Sequence, residues 1–405
     1  MALVEEKAKA PETPAEYPTR EQLVARAAAM VPVLRERAAR CEAENRVPED
    51  TIADMQAAGF FKILQPRRWG GYEMDPEVFY DVQMKVAEGC MSSAWVLGVV
   101  AVHNWQLALF DPRAQEAVWG ADPATLISSS YMPRAKVTPV EGGYRVSGRW
   151  GFSSGVDHCQ WAFLGGLIKD PETGAMDFST FLIPRGDFTV MPVWNTIGLA
   201  GTGSHDVVVE DAFVPAWCTH RSKDGFAATN PGAQTNPGPL YRLPFGQVFV
   251  RAVSSSSIGA LQGALDIFRE TGARRVSSNT LASIAADPDV QMVLAETAAA
   301  IDEMKAVLFR NFGQLNATAR RREQTDVDTR LLYRYQSAQI SGRCAALISR
   351  IFYLSGADGL TRGNPIARTF CDIHAGRTHV ANNPSTVGRN FGGVMLGAPN
   401  GDNFI

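Results

Sequence analysis

The sequence predicts an α+β protein of three parts: an N-terminal helical domain, a middle antiparallel β-barrel and a C-terminal helical bundle. Apolar residues recur with a helical period over 19–121, with a period of two over 122–223, and with a helical period again over 245–405. The segment 1–18 is charged and Pro-rich, and 224–244 is rich in Gly, Asn and Pro. We therefore expect a flexible N-terminus and a linker or loop before the bundle.

Two N-terminal segments carry the helical prediction. Residues 21–44 are rich in Ala, Leu, Arg and Glu, which have high helix propensity, and an apolar stripe runs from Leu23 to Leu34. The run 91–110 is almost entirely apolar, which is typical of a helix buried on most of its surface. His103 and Asn104 are its polar exceptions.

Short β-rich runs follow, separated by Gly, Pro and Asp. Their regular spacing implies an antiparallel barrel or sandwich. The predicted strands are 126–131, 136–140, 144–150, 161–167, 178–183, 188–193 and 205–214. Three amphipathic runs, 290–312, 325–354 and 365–377, then predict long paired helices. Such helices also form subunit interfaces, so we expect an oligomer.

Composition excludes several classes of function. The chain has 405 residues, a net charge of −3 and no long Lys/Arg run, which argues against binding to nucleic acid or anionic membranes. The six cysteines lack CxxC spacing, so we expect reduced thiols, no zinc and no disulfide framework. Because we find neither a signal peptide nor an apolar run of about 18 residues, we expect a cytoplasmic protein.

The six histidines divide into two groups. His103 has an ordinary interpretation as a buried residue bonded to a backbone carbonyl, and we expect His158 and His220 at the surface and His205 in a structural role. His374 and His379 differ because both lie where the last predicted helix gives way to a loop. A histidine in a loop that covers a pocket can act as an acid or base near neutral pH.

Nucleophilic hydrolysis finds no support. No Gly-x-Ser-x-Gly elbow occurs between a strand and a helix, and the stretch 201–204 lacks the following helix that a phosphate loop requires. The run Ser128 to Ser130 can be interpreted as a solvated turn with no functional role. A cofactor beside Ser153 and Ser154 would change that interpretation.

The order of the three parts, at this length, resembles the acyl-CoA dehydrogenase fold over residues 20–400. Three stretches carry the resemblance: 64–71 (LQPRRWGG), 87–94 (AEGCMSSA) and 148–155 (GRWGFSSG). It implies that Phe152 packs near a flavin ring and that the Ser154 hydroxyl reaches flavin N5. The implied cofactor-binding residues are Ser128, Ser129, Ser130, Phe152, Ser153, Ser154 and Arg275. Arg275 would bind a phosphate from a neighbouring subunit; its alternative is an ordinary helix end.

Dehydrogenation conflicts with the sequence, because the position of that family's catalytic glutamate falls near Val380, where no carboxylate is present. The motif from Asp372 to His379 instead resembles the flavin-dependent aromatic hydroxylases of this fold, the oxygenase components of two-component monooxygenases. That resemblance implies reduced FMN, or FADH2, with O2 and a separate NAD(P)H:flavin reductase in a homotetramer. A phenol would be hydroxylated ortho to its oxygen through a flavin C4a-hydroperoxide.

The implied catalytic residues are His379, Ser154 and His103. His379 would deprotonate the phenol or bond its oxygen, Ser154 would bond N5, and His103 would line the pocket. The chain is most like the seco-steroid phenol hydroxylases and next the 4-hydroxyphenylacetate 3-hydroxylases. Ala381 and the Gly246 region lack the Tyr and Arg of the latter, which favours a bulkier phenol.

Three alternatives remain on the same fold. An N- or S-hydroxylating flavin monooxygenase would use the same flavin site with a different pocket. An acyl-CoA dehydrogenase would reduce its flavin with a thioester. A non-catalytic DNA-binding member would need a basic patch, which the sequence does not supply.

Overall fold

A computed structural model describes residues 17–169, 174–272, 274–276 and 281–405. Its helices and strands follow the predicted order. The N-terminal helices are α1 (Arg20–Ala43), α2 (Glu49–Ala57), α3 (Pro76–Ala87), α4 (Met91–Leu107) and α5 (Pro112–Trp119). Helix α1 begins at a capping box, in which Thr19 and Gln22 exchange side-chain and backbone hydrogen bonds.

Helix α4 lies at the centre of the molecule. All 17 of its residues are buried, because it packs against α3 and against three later elements: strand β1 (Ile127–Val140) and helices α7 (Phe245–Ala252) and α8 (Ser255–Gly272). A helix so placed needs apolar residues all round, which explains why the run 91–110 lacks an amphipathic period.

Seven strands form one sheet in the order β5-β6-β2-β1-β3-β4-β7. The strands are β1 (Ile127–Val140), β2 (Gly143–Ser153), β3 (Trp161–Lys169), β4 (Met176–Pro184), β5 (Thr189–Met191), β6 (His205–Pro215) and β7 (Thr219–Arg221). Strand β1 pairs with β3 over 127–130, undergoes a register shift between Ser130 and Ala135, and pairs with β2 beyond it. The first two predicted strands are therefore one bent strand.

The prediction of an antiparallel barrel is wrong on two counts. The sheet is open, because β5 and β7 stand at its two edges, and the β1–β3 pairing is parallel. A period of two shows that a segment is a strand, but it carries no information about which strands pair. Closure needs every strand to find two neighbours, and the two edge strands are only three residues long.

After the sheet, residues 222–244 contain the short helix α6 (Ser222–Ala227) and two 3-10 turns. The C-terminal helices are α7 (Phe245–Ala252), α8 (Ser255–Gly272), α9 (Pro288–Arg320), α10 (Val327–Leu354), α11 (Pro365–Arg377) and α12 (Pro384–Met395). Asp287, Asp326 and Asn364 cap the N-termini of α9, α10 and α11 with their side chains. Throughout the described ranges, every helix is too short or too polar to serve as a transmembrane span.

Candidate active site

Phe152 lies at the end of β2, and its aromatic ring is exposed to solvent. Its side chain is 66% exposed, and its backbone has φ of +63°, a left-handed conformation that costs a non-glycine residue about 1–2 kcal/mol. The ring makes an edge contact with Trp194 at a centroid distance of 5.9 Å. An exposed aromatic held in a strained backbone conformation is typical of a residue that serves a ligand.

Both N–H groups of Trp194 donate hydrogen bonds. Its backbone N–H donates to His205 Nδ1 at 3.2 Å, and its indole N–H donates to the Leu199 carbonyl at 3.0 Å. The other ring nitrogen of His205 lies 3.5 Å from Asp157 Oδ2. Trp194, which contacts the Phe152 ring, is therefore held in place by backbone and side-chain hydrogen bonds. His205 has the structural role expected of it.

The hydroxyl group of Ser154 belongs to a buried chain of hydrogen bonds. It accepts the indole N–H of Trp95 at 3.2 Å and lies 2.7 Å from the hydroxyl of Ser204. Ser204 in turn lies 2.6 Å from the hydroxyl of Thr202, which donates to the Leu199 carbonyl at 2.8 Å. This chain connects the end of β2 to the loop before β6.

Leu199 fixes that loop to the C-terminal bundle. It has φ of +51°, and its N–H donates to Asp372 Oδ1 on α11 at 2.6 Å. The preceding Gly198 lies so close to the backbone of α11 that a Cβ atom would stand 2.2 Å from the Cys371 carbonyl oxygen. Burial, together with the nearby Cys90 and Glu42, raises the pKa of Asp372 to about 8.

His379 lies beyond α11, and its ring contacts the same Trp95 that donates to Ser154. The two rings meet edge to face at 5.7 Å. The Nδ1 atom of His379 accepts the N–H of Ala381 at 3.1 Å, and the Ala381 carbonyl accepts from Arg334 at 2.8 Å. Burial and the Arg334 guanidinium lower the pKa of His379 to about 4. The ring is therefore neutral near pH 7, and its single proton is on Nε2.

His103 is fully buried on α4, as the ordinary interpretation of the sequence expected. Its Nδ1–H donates to the Ile127 carbonyl at 2.6 Å, and burial lowers its pKa to about 4. Its ring contacts Tyr131, Phe163 and Phe249 at centroid distances of 6.3, 5.5 and 6.4 Å. The Nε2 atom is buried and has no hydrogen-bond partner among the described residues, so it remains an available acceptor.

Helix α4 joins these groups into one site. Trp95 and His103 are eight residues apart on it, which corresponds to about 12 Å along the axis and to a rotation of about 80° around it. Ser154 and His379 meet at Trp95, whereas Tyr131 and Phe249 meet at His103. Ser154 and His379 therefore both contact Trp95, and His103 lies about two turns further along the same helix.

The remaining predicted flavin contacts lie at two neighbouring strand ends. The Ser130 hydroxyl donates to the Gly151 carbonyl at 2.7 Å, and that of Ser128 donates to the Trp161 carbonyl at 3.5 Å. Ser129 is buried beside them, and the buried Ser153 hydroxyl has no partner among the described residues. The interpretation of Ser128 to Ser130 as a solvated turn is wrong, since all three are buried in β1.

Arg275 lies far along the chain from these residues and is engaged within its own helical bundle. Its guanidinium donates to the carbonyls of Leu354 and Ser355 at 3.2 and 2.9 Å, at the end of α10, and it lies 3.8 Å from Asp358. These contacts correspond to the helix-end interpretation of this residue.

Two histidines expected at the surface are buried instead. His158 lies 3.3 Å from Glu49, and His220 pairs with Asn230 at 2.8 Å. His374 is half-buried, bonds Ser349 at 3.1 Å and packs on Phe370, so it does not join His379. The sequence around His158 and His220 does not show that other segments of the chain cover their side chains.

Sequence reasoning missed Trp95, Trp194, Thr202, Ser204 and Asp372 as members of the site. Their chemistry was visible: Thr202 and Ser204 lie in a Gly-rich stretch, and Asp372 opens the motif that ends at His379. Their proximity was not visible, because it depends on contacts between segments up to 173 residues apart.

The donor set fits a flavin better than a metal ion or a phosphate. It offers an exposed aromatic ring, a hydroxyl at Ser154 and further hydroxyls from β1 and β2, all at one end of the sheet. Flat aromatic cofactors are bound by apolar and aromatic walls with a few placed polar groups, which is what these residues supply.

Comparison with known proteins is consistent with this geometry. Residues 19–122 match the family "Acyl-CoA dehydrogenase, N-terminal domain", and residues 252–384 match "Acyl-CoA dehydrogenase, C-terminal domain". The chain is 41% identical, over 93% of its length and 99% of the relative's, to a flavin-dependent monooxygenase oxygenase subunit, HsaA, of Rhodococcus jostii. It is 30% identical, over 95% of its length and 96% of the relative's, to the oxygenase component of an FADH2-dependent resorcinol hydroxylase of Rhizobium.

A solved structure of a hydroxylase has the same fold as this chain. The crystal structure of 3-HSA hydroxylase from Rhodococcus superposes with a TM-score of 0.91 at 39% identity, and the match covers 95% of this chain and 99% of that one.

Proposed function

Because this chain belongs to the flavin-dependent monooxygenase oxygenase subunits built on the acyl-CoA dehydrogenase fold, we propose that it hydroxylates a phenol ortho to its oxygen. The observation that carries this proposal is a neutral His379 whose ring contacts Trp95, next to the position near Val380 where the carboxylate base of a dehydrogenase of this fold would fall. As an oxygenase component, the protein uses reduced flavin and O2 and depends on a separate flavin reductase.

His379 acts on the phenol as a hydrogen-bond donor. Its Nδ1 accepts the Ala381 N–H, so its one proton is on Nε2 and that atom can donate to a phenol or phenolate oxygen. Acting as a base through Nε2 would require the proton to move to Nδ1 and the bond from Ala381 to break. Donation stabilises the negative charge that makes the ortho carbon electron-rich.

Reduced flavin, when bound, activates O2 and supplies the oxygen atom that is transferred. The protein's own residues hold the reactants and exclude water. Phe152 and the hydroxyls of Ser128 to Ser130, Ser153 and Ser154 would contact the cofactor, with Ser154 at N5. Arg275 would reach a phosphate on a neighbouring subunit only by exchanging its present bonds to the end of α10.

A cluster of aromatic side chains supports a phenolic substrate. His103, Tyr131, Phe163, Phe245 and Phe249 make edge and stacked ring contacts with one another, and an aromatic ring packs well among such partners. The small Ala381, two residues after His379, stands where the 4-hydroxyphenylacetate 3-hydroxylases have a Tyr, which favours a bulky phenol of the seco-steroid type.

The proposal includes assembly into a homotetramer. Ile197, Val380 and Leu396 are exposed apolar residues near or beyond the site, and exposed apolar surface of this kind is commonly covered by another subunit. Light scattering should give four times the 43.9 kDa mass of one chain. A mass of one chain at micromolar concentration would contradict the tetramer.

A single-turnover reaction tests the function. The protein is mixed anaerobically with photoreduced FMN, then with oxygenated buffer and a bulky para-substituted phenol, and the products are quantified by chromatography. We expect a catechol in substantial yield per flavin. A hydroxylated amine or a sulfoxide in parallel reactions, with no catechol, would transfer the enzyme to the N- or S-hydroxylating class. Anaerobic flavin reduction by an acyl-CoA would make it a dehydrogenase.

A further inference from the structure

The aromatic cluster around His103 is extended by a ring from the segment 400–405. His103 stacks on Phe249 at a centroid distance of 6.4 Å, and Phe249 stacks on Phe245, one turn earlier on α7, at 5.6 Å. Phe404 then meets Phe245 at 5.9 Å, with an angle of 70° between the two ring planes. The row of ring contacts that starts at His103 therefore reaches Phe404, whose plane is turned across the others.

The segment that carries Phe404 packs tightly against the first turn of α7. A Cβ atom on Gly246 would lie 2.2 Å from the carbonyl group of Phe404 and 2.6 Å from the backbone nitrogen of Ile405. Ile405 is fully buried, and the Phe404 ring makes a second edge contact, at 5.3 Å, with Phe178 on β4. Because a side chain at position 246 would displace this backbone, the glycine allows Phe404 to reach Phe245.

Hydrogen bonds fix the backbone that leads to Phe404. The Phe404 N–H donates to Asp402 Oδ1 at 2.8 Å, and the Asp402 N–H donates to Asn400 Oδ1 at 3.1 Å. The same Asn400 oxygen accepts the side-chain amide of Asn390 on α12 at 2.8 Å. The ring is thus held by a folded segment anchored to a helix, and the carboxylate beside it would repel an anionic group.

We propose that Phe404 is a specificity-determining residue, whose ring forms an apolar end of the aromatic cluster and selects phenols that carry an uncharged, apolar substituent. The proposal rests on the proposed function, in which this cluster binds the phenol. None of the described ring contacts of Phe178, Phe245 and Phe404 involves a Lys or Arg side chain. A carboxylate placed there would lose its hydration without a positive partner among these contacts, which is unfavourable.

Pairs of substrates that differ only in charge test this selection in the wild-type protein. 4-Hydroxyphenylacetate and its amide have nearly the same shape, and the longer 4-hydroxyphenylalkanoates with their amides extend the series until the substituent reaches Phe404. Catechol formation with reduced FMN gives kcat and KM for each compound. At that chain length, kcat/KM for the amide should exceed that for the acid by about tenfold or more.

The variant Phe404→Arg should reverse this preference. Phe404 is only partly buried, so a long side chain can be accommodated at this position. Its guanidinium would offer the carboxylate a charge-assisted hydrogen bond, which is worth about 10- to 100-fold in affinity. The ratio of kcat/KM for acid over amide should rise by that factor, and the change should lie in the KM of the acid rather than in kcat.

Two further variants make the result specific. Phe404→Leu keeps an apolar side chain and should keep the wild-type ratio of acid to amide. Met292→Arg adds the same charge at a residue of α9 that is 57% exposed, and it should leave the ratio unchanged. A general effect of added positive charge would instead appear in both arginine variants.

The outcomes separate this proposal from the proposed function. If wild type forms catechols from acids and amides equally well at every chain length, or if folded Phe404→Arg keeps the wild-type ratio, Phe404 does not select the substrate and the function stands. If wild type forms no catechol from any phenol of the series, the proposed function itself is contradicted. The comparison in wild type decides the proposal even where Phe404→Arg fails to fold.

Discussion

The side chain of Asp372 accepts the backbone N–H of Leu199 at 2.6 Å, and this one bond ties helix α11 to the loop that supports both Trp194 and Ser154. The same short helix leads to His379. Trp194 and Ser154, beside the strand end proposed to contact flavin, and the residue proposed to bind the phenol are therefore positioned by one element, so a change at Asp372 should affect both.

We expect Asp372→Asn to keep the loop in place, because its amide oxygen can accept the same N–H, whereas Asp372→Ala should weaken flavin binding.

The pKa of Asp372 is raised to about 8, so the fold favours its neutral form. Its contribution to stability is full below the unfolded pKa of about 4 and is lost as pH rises to about 8, by up to about 1.4 kcal/mol per pH unit. Denaturant unfolding from pH 4 to 9 should show this loss in wild type and not in Asp372→Asn. Parallel curves for the two proteins would contradict it.

His379→Ala should lower the rate of phenol hydroxylation by about 10²- to 10³-fold, the usual effect of removing a donor to a developing negative charge. His379→Gln retains an N–H donor and should recover part of the loss, which a general base could not do. Single-turnover product formation at saturating phenol measures both. Equal rates for the Ala and Gln variants would argue against a donor role.

The pH dependence of the wild-type rate gives a separate prediction about His379. Its pKa is lowered to about 4, so the ring keeps one charge state from pH 5 to 9. The rate should therefore show no ionisation with a midpoint near 6.5, the ordinary value for histidine. Such a midpoint, if absent from His379→Gln, would show that His379 titrates during the reaction.

Phe152→Gly should bind flavin more weakly without loss of thermal stability. The ring is largely exposed, so its removal uncovers little apolar surface, and glycine adopts a φ of +63° without strain. Losing one aromatic contact should cost about 2- to 12-fold in flavin affinity. Phe152→Ala is the matched control, because it loses the ring and keeps the strain, so its melting temperature should lie below that of the glycine variant.

Ser154→Ala should increase the hydrogen peroxide released per reduced flavin consumed, since the protein would lose its hydrogen bond at N5. Peroxide and catechol measured in the same reaction give the coupling ratio. Thr196→Val, whose hydroxyl lies outside the buried chain, serves as the control and should couple as wild type does. Unchanged peroxide release in Ser154→Ala would remove this serine from the reaction.

Sequence patterns predicted local features well and contacts between segments poorly. The helices at 20–43, 327–354 and 365–377 follow from apolar period and capping residues, which act within a few residues of each other. The open sheet and the parallel pairing of β1 with β3 depend on which strands pair. The alternation of apolar and polar residues along a strand does not indicate its partners.

The same division applies to the site. Phe152, Ser154 and His379 could be named because they lie in short motifs that resemble a family. Trp95 could not, although it contacts both Ser154 and His379, because in the sequence it is one apolar residue in a long apolar run. Its indole N–H gains a function only once Ser154, just after β2, lies against α4.

Helix α4 also bears on how the molecule reaches its folded state. A helix buried on every side depends on its neighbours for its stability, and those neighbours include β1 and the bundle helices α7 and α8, which lie between residues 127 and 272. A fragment ending near residue 121 would leave most of this apolar helix in water. The N-terminal helices are thus a separate region of the sequence but not an autonomous folding unit, and the site forms only when the whole chain has condensed around α4.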